Sequence, residues 1–398
     1  MRILSAIWTA RLASVAFVMV GLFWGSFAAS VPAIRENLGV SDGVFGFLLL
    51  GNATGLVMAM FAAPRVDRLL KDRGLQVCAA LFSCMIFLPG MAQSAMAFFL
   101  IMIVMGMFSG LTDVLMNARL SELEVRSGRS LMNAGHGMFS VGYAVAAFST
   151  GLVRDAGYGP AVAMGLAGLV CLILSSRLRT APEVVETEAG STERMPWLIL
   201  LVCGGIVLVA FMTEATVETW SALHIERTLN GDPLAGALGP TMLGLTMAFG
   251  RLGGQGLTDY LPDQLVVVVA SLLASAGALV AAAAPTAMVA YIGFALLGLG
   301  VSVIGPLGLS LLGQRVAPRF RTEAISKAAV MGFTGFFFAP VLMGLMSEAY
   351  GLRMAYAGVA VLAVLAIPLL LVLNRISPPK LDTQSKSTSS IPVSDTRS

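Results

Sequence analysis

Residues Gly106–Gly142 read GMFSGLTDVLMNARLSELEVRSGRSLMNAGHGMFSVG. Two apolar segments flank a charged turn, and each has polar groups along one face. Ser109, Asp113 and Asn117 follow at i, i+4 and i+8, so a helix presents them together. Asn133, His136, Ser140 and Tyr143 step by three, four and three, again on one helical face. A polar face on an otherwise apolar helix of bilayer length is costly unless it points into a bundle or a wet path. The stretch therefore predicts two membrane helices lining a shared interior.

The rest of the chain supplies that interior. Of 398 residues, 57% are hydrophobic and 12% charged, which no soluble class matches. Apolar runs of about 20 residues, the length that crosses a bilayer, recur from Leu12 to Leu373. Twelve spans are expected, near 12–34, 43–63, 75–93, 95–118, 131–153, 158–177, 197–222, 235–256, 264–284, 286–312, 324–347 and 353–374. None of the runs alternates as a membrane β-barrel strand would. The expected fold class is an all-α membrane protein of twelve transmembrane helices in two pseudo-symmetric halves. Its divisions are 1–176, a cytoplasmic linker 177–196, a second half 197–376, and a disordered Ser/Thr/Pro-rich tail 377–398.

Charge sets the orientation. With the N-terminus inside, 21 of the 25 basic residues fall on the inner side, and Arg35, Arg154, Arg227 and Arg353 on the outer. Cytoplasmic loops carry such an excess, so both termini are expected in the cytoplasm. The first apolar run lacks a small-residue cleavage site and reads as a retained helix. Cys78, Cys84, Cys171 and Cys203 lie in apolar runs without metal-ligand spacing, as small core residues do. The chain also repeats itself. Gly151-Leu-Val-Arg-Asp-Ala-Gly-Tyr-Gly is similar to Gly344-Leu-Met-Ser-Glu-Ala-Tyr-Gly, 193 residues later, and Asp67 has a counterpart in Asp259. Parallel halves around a central linker are one sequence form of a rocking transporter.

Several residues carry a resemblance. Ala63-Pro-Arg-Val-Asp67-Arg68-Leu-Leu-Lys71 is similar to the first inner-loop motif of the major facilitator superfamily, a glycine followed by x-x-x-Asp-Arg and then Gly-Arg. Ala63 and Leu70 replace its glycines. Gly21-Leu-Phe-Trp24-Gly, Gly110-x-x-Asp113-x-x-x-Asn117, Asn133-x-x-His136-x-x-Phe139-x-x-Gly142 and Glu214 with Trp220-Ser221 resemble the YbjJ/MosC-like branch, related to fucose-permease-type sugar–proton symporters. The resemblance implies alternating-access transport of a small solute, gated at Asp67 and Arg68. Drug–proton antiporters often carry a Gly-Pro pair in span five; after Gly142 this chain has no proline.

The intramembrane charges then sort by depth. Asp113 lies roughly 27 Å along span four and His136 roughly 8 Å along span five, both in the inner half, where they pair or exchange a proton. A fixed bond to Asn117 or to a backbone carbonyl is the structural alternative. Glu214, roughly 25 Å along span seven, is expected in the outer half, with Glu218 one turn further out. The proton-coupling candidates are Asp113, Glu214, His136 and Glu218. The substrate-binding candidates are Trp24, Asn52, Asn117, Asn133, Ser140 and Trp220, and the gate candidates Asp67, Arg68, Arg251 and Asp259. Trp24 equally suits packing, and Arg251 suits a gate or a snorkelling residue at the inner end of span eight better than a ligand.

No cofactor or metal is expected, since there are two histidines and no phosphate-binding or zinc motif. No enzyme activity or nucleic-acid partner is expected either. The expected protein is a probable monomer of the bacterial inner membrane that moves a polar, sugar-like solute with protons. An exporter and a non-transporting receptor of the same fold are the alternatives.

Overall fold

The computed structural model describes residues 2–128, 131–180, 195–258 and 260–377. The described residues are helical, with no strand among them. A short helix Arg2–Thr9 precedes span one, Arg11–Leu38. Span two joins Asp42–Leu48 to Leu50–Leu70, and span three joins Gly74–Met85 to Leu88–Met91. Spans four to six are Ala95–Ser127, Met132–Asp155 and Pro160–Ser175. Span seven is Trp197–Leu223, extended by a π turn over His224–Thr228. Spans eight to ten are Pro233–Thr258, Asp263–Ala283 and Ala287–Arg315. Pro318–Phe333 continues into Gly335–Val364, which Gly351 divides at φ 81, a backbone angle that suits glycine. Span eleven ends there, and span twelve runs on into Ala366–Ile376.

The helices depart from the expected bounds mainly at charged ends. Span four runs nine residues past its expected limit, to Ser127, and stops at Gly128 in the left-handed conformation (φ 62). Arg119, Glu122, Glu124 and Arg126 are therefore helical, not part of a loop. Glu124 binds the next helix start, accepting from the backbone N–H groups of Leu131 and Met132. The linker residues 181–194 and the tail from 378 lie outside the described residues, as does Asp259.

Seven stretches are apolar and long enough to cross a membrane, and Asp42–Met91 and Glu323–Ile376 each contain two spans. Span six is apolar but shorter. The remaining two spans, Met132–Asp155 and Pro233–Thr258, are the polar ones, and they pack on each other. Gly137 meets Leu252 at one end and Gly151 meets Ala237 at the other. Mutual packing shields their polar faces from lipid, which explains how weakly apolar helices cross at all.

Packing repeats between the halves. Span one lies on five and seven on eleven; two lies on four and eight on ten; three lies on six and nine on twelve. Small residues permit these approaches. A Cβ on Gly106 would stand 2.0 Å from the Asn52 carbonyl oxygen of span two. Gly106→Val therefore cannot keep the two backbones together. Its expected result is a loss of about 1–3 kcal/mol or more of stability, read as a lower melting temperature and reduced yield of monodisperse protein.

Candidate functional site

The two halves meet at mid-height around span seven. Arg251 of span eight donates through Nη2 to both carboxylate oxygens of Glu214, at 2.7 and 2.8 Å. Its Nη1 donates to Ser140 Oγ of span five at 2.7 Å, and Ser140 in turn donates to the His136 carbonyl at 3.1 Å. One turn outward, Tyr143 donates its hydroxyl to the Glu218 carbonyl at 3.0 Å. Arg251 and Glu214 are each less than a tenth exposed. Glu218 is also buried, and its Oε1 has no hydrogen-bond partner among the described residues. The arrangement is a buried ion pair, tied across the halves by a serine, beside a carboxyl oxygen with no protein partner.

This overturns the depth assignment made from sequence. Glu214 and Arg251 were placed in the outer half and at an inner gate; they are in direct contact. Span seven continues through the π turn to Thr228, so Glu214 sits near its middle, and the long arginine stem closes the remaining distance. The expected Asp113–His136 pair is also absent. Span one packs on both span four and span five and stands between the two groups. Asn117 Nδ2 donates to the Asp113 backbone carbonyl at 2.9 Å. The His136 ring lies edge-on to Phe17, centroids 5.1 Å apart. Asp113, Asn117, Asn133 and His136 are each partly exposed.

The aromatic candidates divide. Trp24 is partly exposed and leans on Phe23 and Phe27. Trp220 was expected to face a solute. It is fully enclosed, edge-on to Phe45 of the other half at 6.1 Å, and its Nε1 has no partner. In this conformation it is a packing contact between halves. Asn52 Oδ1 is likewise buried without a partner. Of the gate candidates, Asp67 pairs with Arg119, which also holds Glu122 at 3.0 Å. That pairing stays within the first half. Arg68 Nε donates to Pro64 O of its own helix at 3.2 Å.

A second cluster was not singled out from sequence. Asp42 is 3% exposed and accepts from Arg227 Nη1 at 2.7 Å, from Arg227 Nη2 and from Ser347 Oγ. Arg35 Nε stands 2.6 Å from its other face. Glu348 accepts from Ser41 Oγ at 2.8 Å and Gly43 N at 2.7 Å. Arg154 binds Glu226 at 2.6 and 3.0 Å and the Ala29 carbonyl at 2.6 Å. Arg154 and Ser347 occupy matching places in the 193-residue repeat, and each crosses to the opposite half. The repeat was therefore a signal for the closure, although its partners were not visible. At this end Gly46 packs against Pro340. Beyond it, Leu50–Leu70 makes no sustained packing with Pro318–Phe333. The halves are thus shut at the Asp42 end and separate along spans two and eleven towards the other.

With this architecture in view, comparison with known proteins is direct. A sequence model of the Major Facilitator Superfamily matches residues 13–264 and 202–395. The chain belongs to the major facilitator superfamily. Among superfamily relatives it is 26% identical to an uncharacterized MFS-type transporter of Yersinia pestis, over 87% of this chain and 91% of that protein. It is 27% identical to the membrane protein MosC of Rhizobium meliloti, over 85% and 84%. Solved superfamily structures share the fold. One is a bacterial homologue of the human lysosomal transporter Spinster, inward-facing and occupied, with TM-score 0.74, 15% identity and coverage of 92% and 96%. Another is a D-xylose–proton symporter, with TM-score 0.70, 14% identity and coverage of 92% and 97%. The chain is accordingly a multi-pass membrane transporter of that family.

Proposed function

We propose that the protein is a secondary active transporter of the bacterial inner membrane, moving a small polar, sugar-like or sugar-derived solute by alternating access as a proton symporter. The observation that carries this is the buried Arg251–Glu214 pair, bridged to Ser140 across the halves and flanked by Glu218. Such a pair is held together by charge, and a proton delivered to Glu214 removes half of it. Arg251 is then free to bind a solute hydroxyl or carboxylate, and its bond to Ser140 changes as the halves rock. Glu218, one turn away on the same face, is the entry point for that proton. Asp113, partly exposed on span four, is the release candidate.

With the basic residues inside, the closed Asp42 end faces outward and this conformation is inward-facing. The halves 1–176 and 197–376 move as the two rocking units, joined by the linker 177–196. The superfamily fold shared with a D-xylose–proton symporter supports the solute class only by analogy.

The test is uptake into right-side-out membrane vesicles of a panel of labelled sugars, sugar acids and cyclitols, with and without an imposed inward proton gradient. The expected result is accumulation of at least one of them driven by the gradient, and loss of that drive in Glu218→Gln while counterflow persists. Gradient-driven accumulation that Glu218→Gln and Glu214→Gln leave intact would contradict the coupling assignment.

A further inference from the structure

A cavity of about 390 Å³ lies away from the central pair, where the first half reaches its inner surface. It is bounded by the start of span one, the end of span four and the segment after span six. At roughly 30 Å³ per water it holds far more than one ion. Arg11, Arg119, Arg126 and Arg179 line it, against a single carboxylate, Glu122.

The cavity contains donors that the protein does not satisfy. Arg119 is 5% exposed, and although its Nη groups hold Asp67 and Glu122, its Nε has no partner. Thr180 Oγ1, also on the lining, is buried without one. Buried unmet donors cost about 1–3 kcal/mol each, and an anion with several acceptor oxygens answers both. The setting selects the anion. The helix Arg2–Thr9 beside the cavity carries Trp8, 71% exposed, with the Arg11 guanidinium 5.2 Å over its ring. An exposed tryptophan next to arginine at the mouth of a span marks the headgroup layer, and basic pockets there take anionic lipid headgroups.

We propose that this cavity binds the phosphate of an anionic phospholipid. The guanidinium groups and Thr180 hold the phosphate, while the acyl chains run beside the apolar surface of span one. Because Arg119 also holds Asp67, the lipid buttresses the first inner loop.

The test uses the full chain purified in a non-ionic detergent. It is titrated separately with phosphatidylglycerol, phosphatidylcholine of the same chains, and inorganic phosphate, and retained lipid is read by native mass spectrometry. One phosphatidylglycerol is expected to be retained per protein, in preference to phosphatidylcholine and undisturbed by millimolar phosphate. In Arg11→Gln/Arg179→Gln, which leaves the Asp67–Arg119 pair in place, retention weakens about tenfold, the loss of one charge-assisted contact. The melting temperature of the lipid-free protein stays unchanged. Equal retention of both lipids, undiminished retention in the variant, or displacement by inorganic phosphate would each overturn the proposal. So would retention that appears only after Glu183, Glu186, Glu188 and Glu193 are changed to Gln, since the chain's own linker would then be the occupant.

Discussion

Arg251→Met is expected to lower the unfolding free energy by about 3–5 kcal/mol, the usual penalty for stranding one partner of a buried ion pair, and to abolish uptake. Glu214 is then buried with a charge and no cation, and Ser140 loses the donor that links the halves. The double variant Glu214→Gln/Arg251→Met separates stability from function. With both charges gone the burial penalty falls away, and an apolar replacement of an ion pair is often neutral or better. Thermal unfolding in detergent should return close to wild type while uptake stays lost. A double variant as unstable as Arg251→Met would show that Arg251 stabilises by packing and not by charge.

The second large effect is at the closed end. Asp42→Ala removes the acceptor shared by Arg227, Arg35 and Ser347. Bonds to charged groups contribute about 1.5–3 kcal/mol each, and the low end applies because Arg227 is more than a third exposed and so partly screened by water. A change of that size moves a two-state equilibrium about tenfold. Spin labels at Asn37 and Tyr350, exposed on opposite halves at this end, report it by electron–electron distance measurement. A single short distance is expected in the parent, and a longer population about tenfold more abundant in Asp42→Ala. The long population should also grow in the parent at high salt, where exposed charges are screened. An unchanged distance distribution would mean that the apolar contacts around Trp220 and Phe45 hold the end shut without the charges.

The apolar runs and the placement of basic residues made the twelve spans legible, because bilayer thickness imposes a length and the cytoplasmic side a charge. Gly106 and the polar face from Asn133 to Tyr143 marked the close packing of spans two and four and the polar path along span five. The partners across the halves were hidden. Asp42 and Arg227 are 185 residues apart, and each lies near a short connection, where a charge reads as solvated. Arg251 was misplaced for a related reason. Counting residues along a helix gives the height of a backbone, whereas an arginine acts several ångströms from its own Cα. Trp220 read as a ligand-facing aromatic because sequence shows that an indole needs a partner, not which conformation encloses it. Span one between Asp113 and His136 is a fact of packing order that no spacing within spans four and five contains.

The central claim is that solute and proton cross together through the Glu214–Arg251–Glu218 site. The most direct measurement is the pH of a lightly buffered suspension of de-energised cells expressing the protein, after adding a solute that the vesicle panel shows to be taken up. The account predicts an immediate alkalinisation of the medium with the parent and none with Glu218→Gln at equal expression. Solute entry with no pH change, or an alkalinisation that Glu218→Gln preserves, would contradict it.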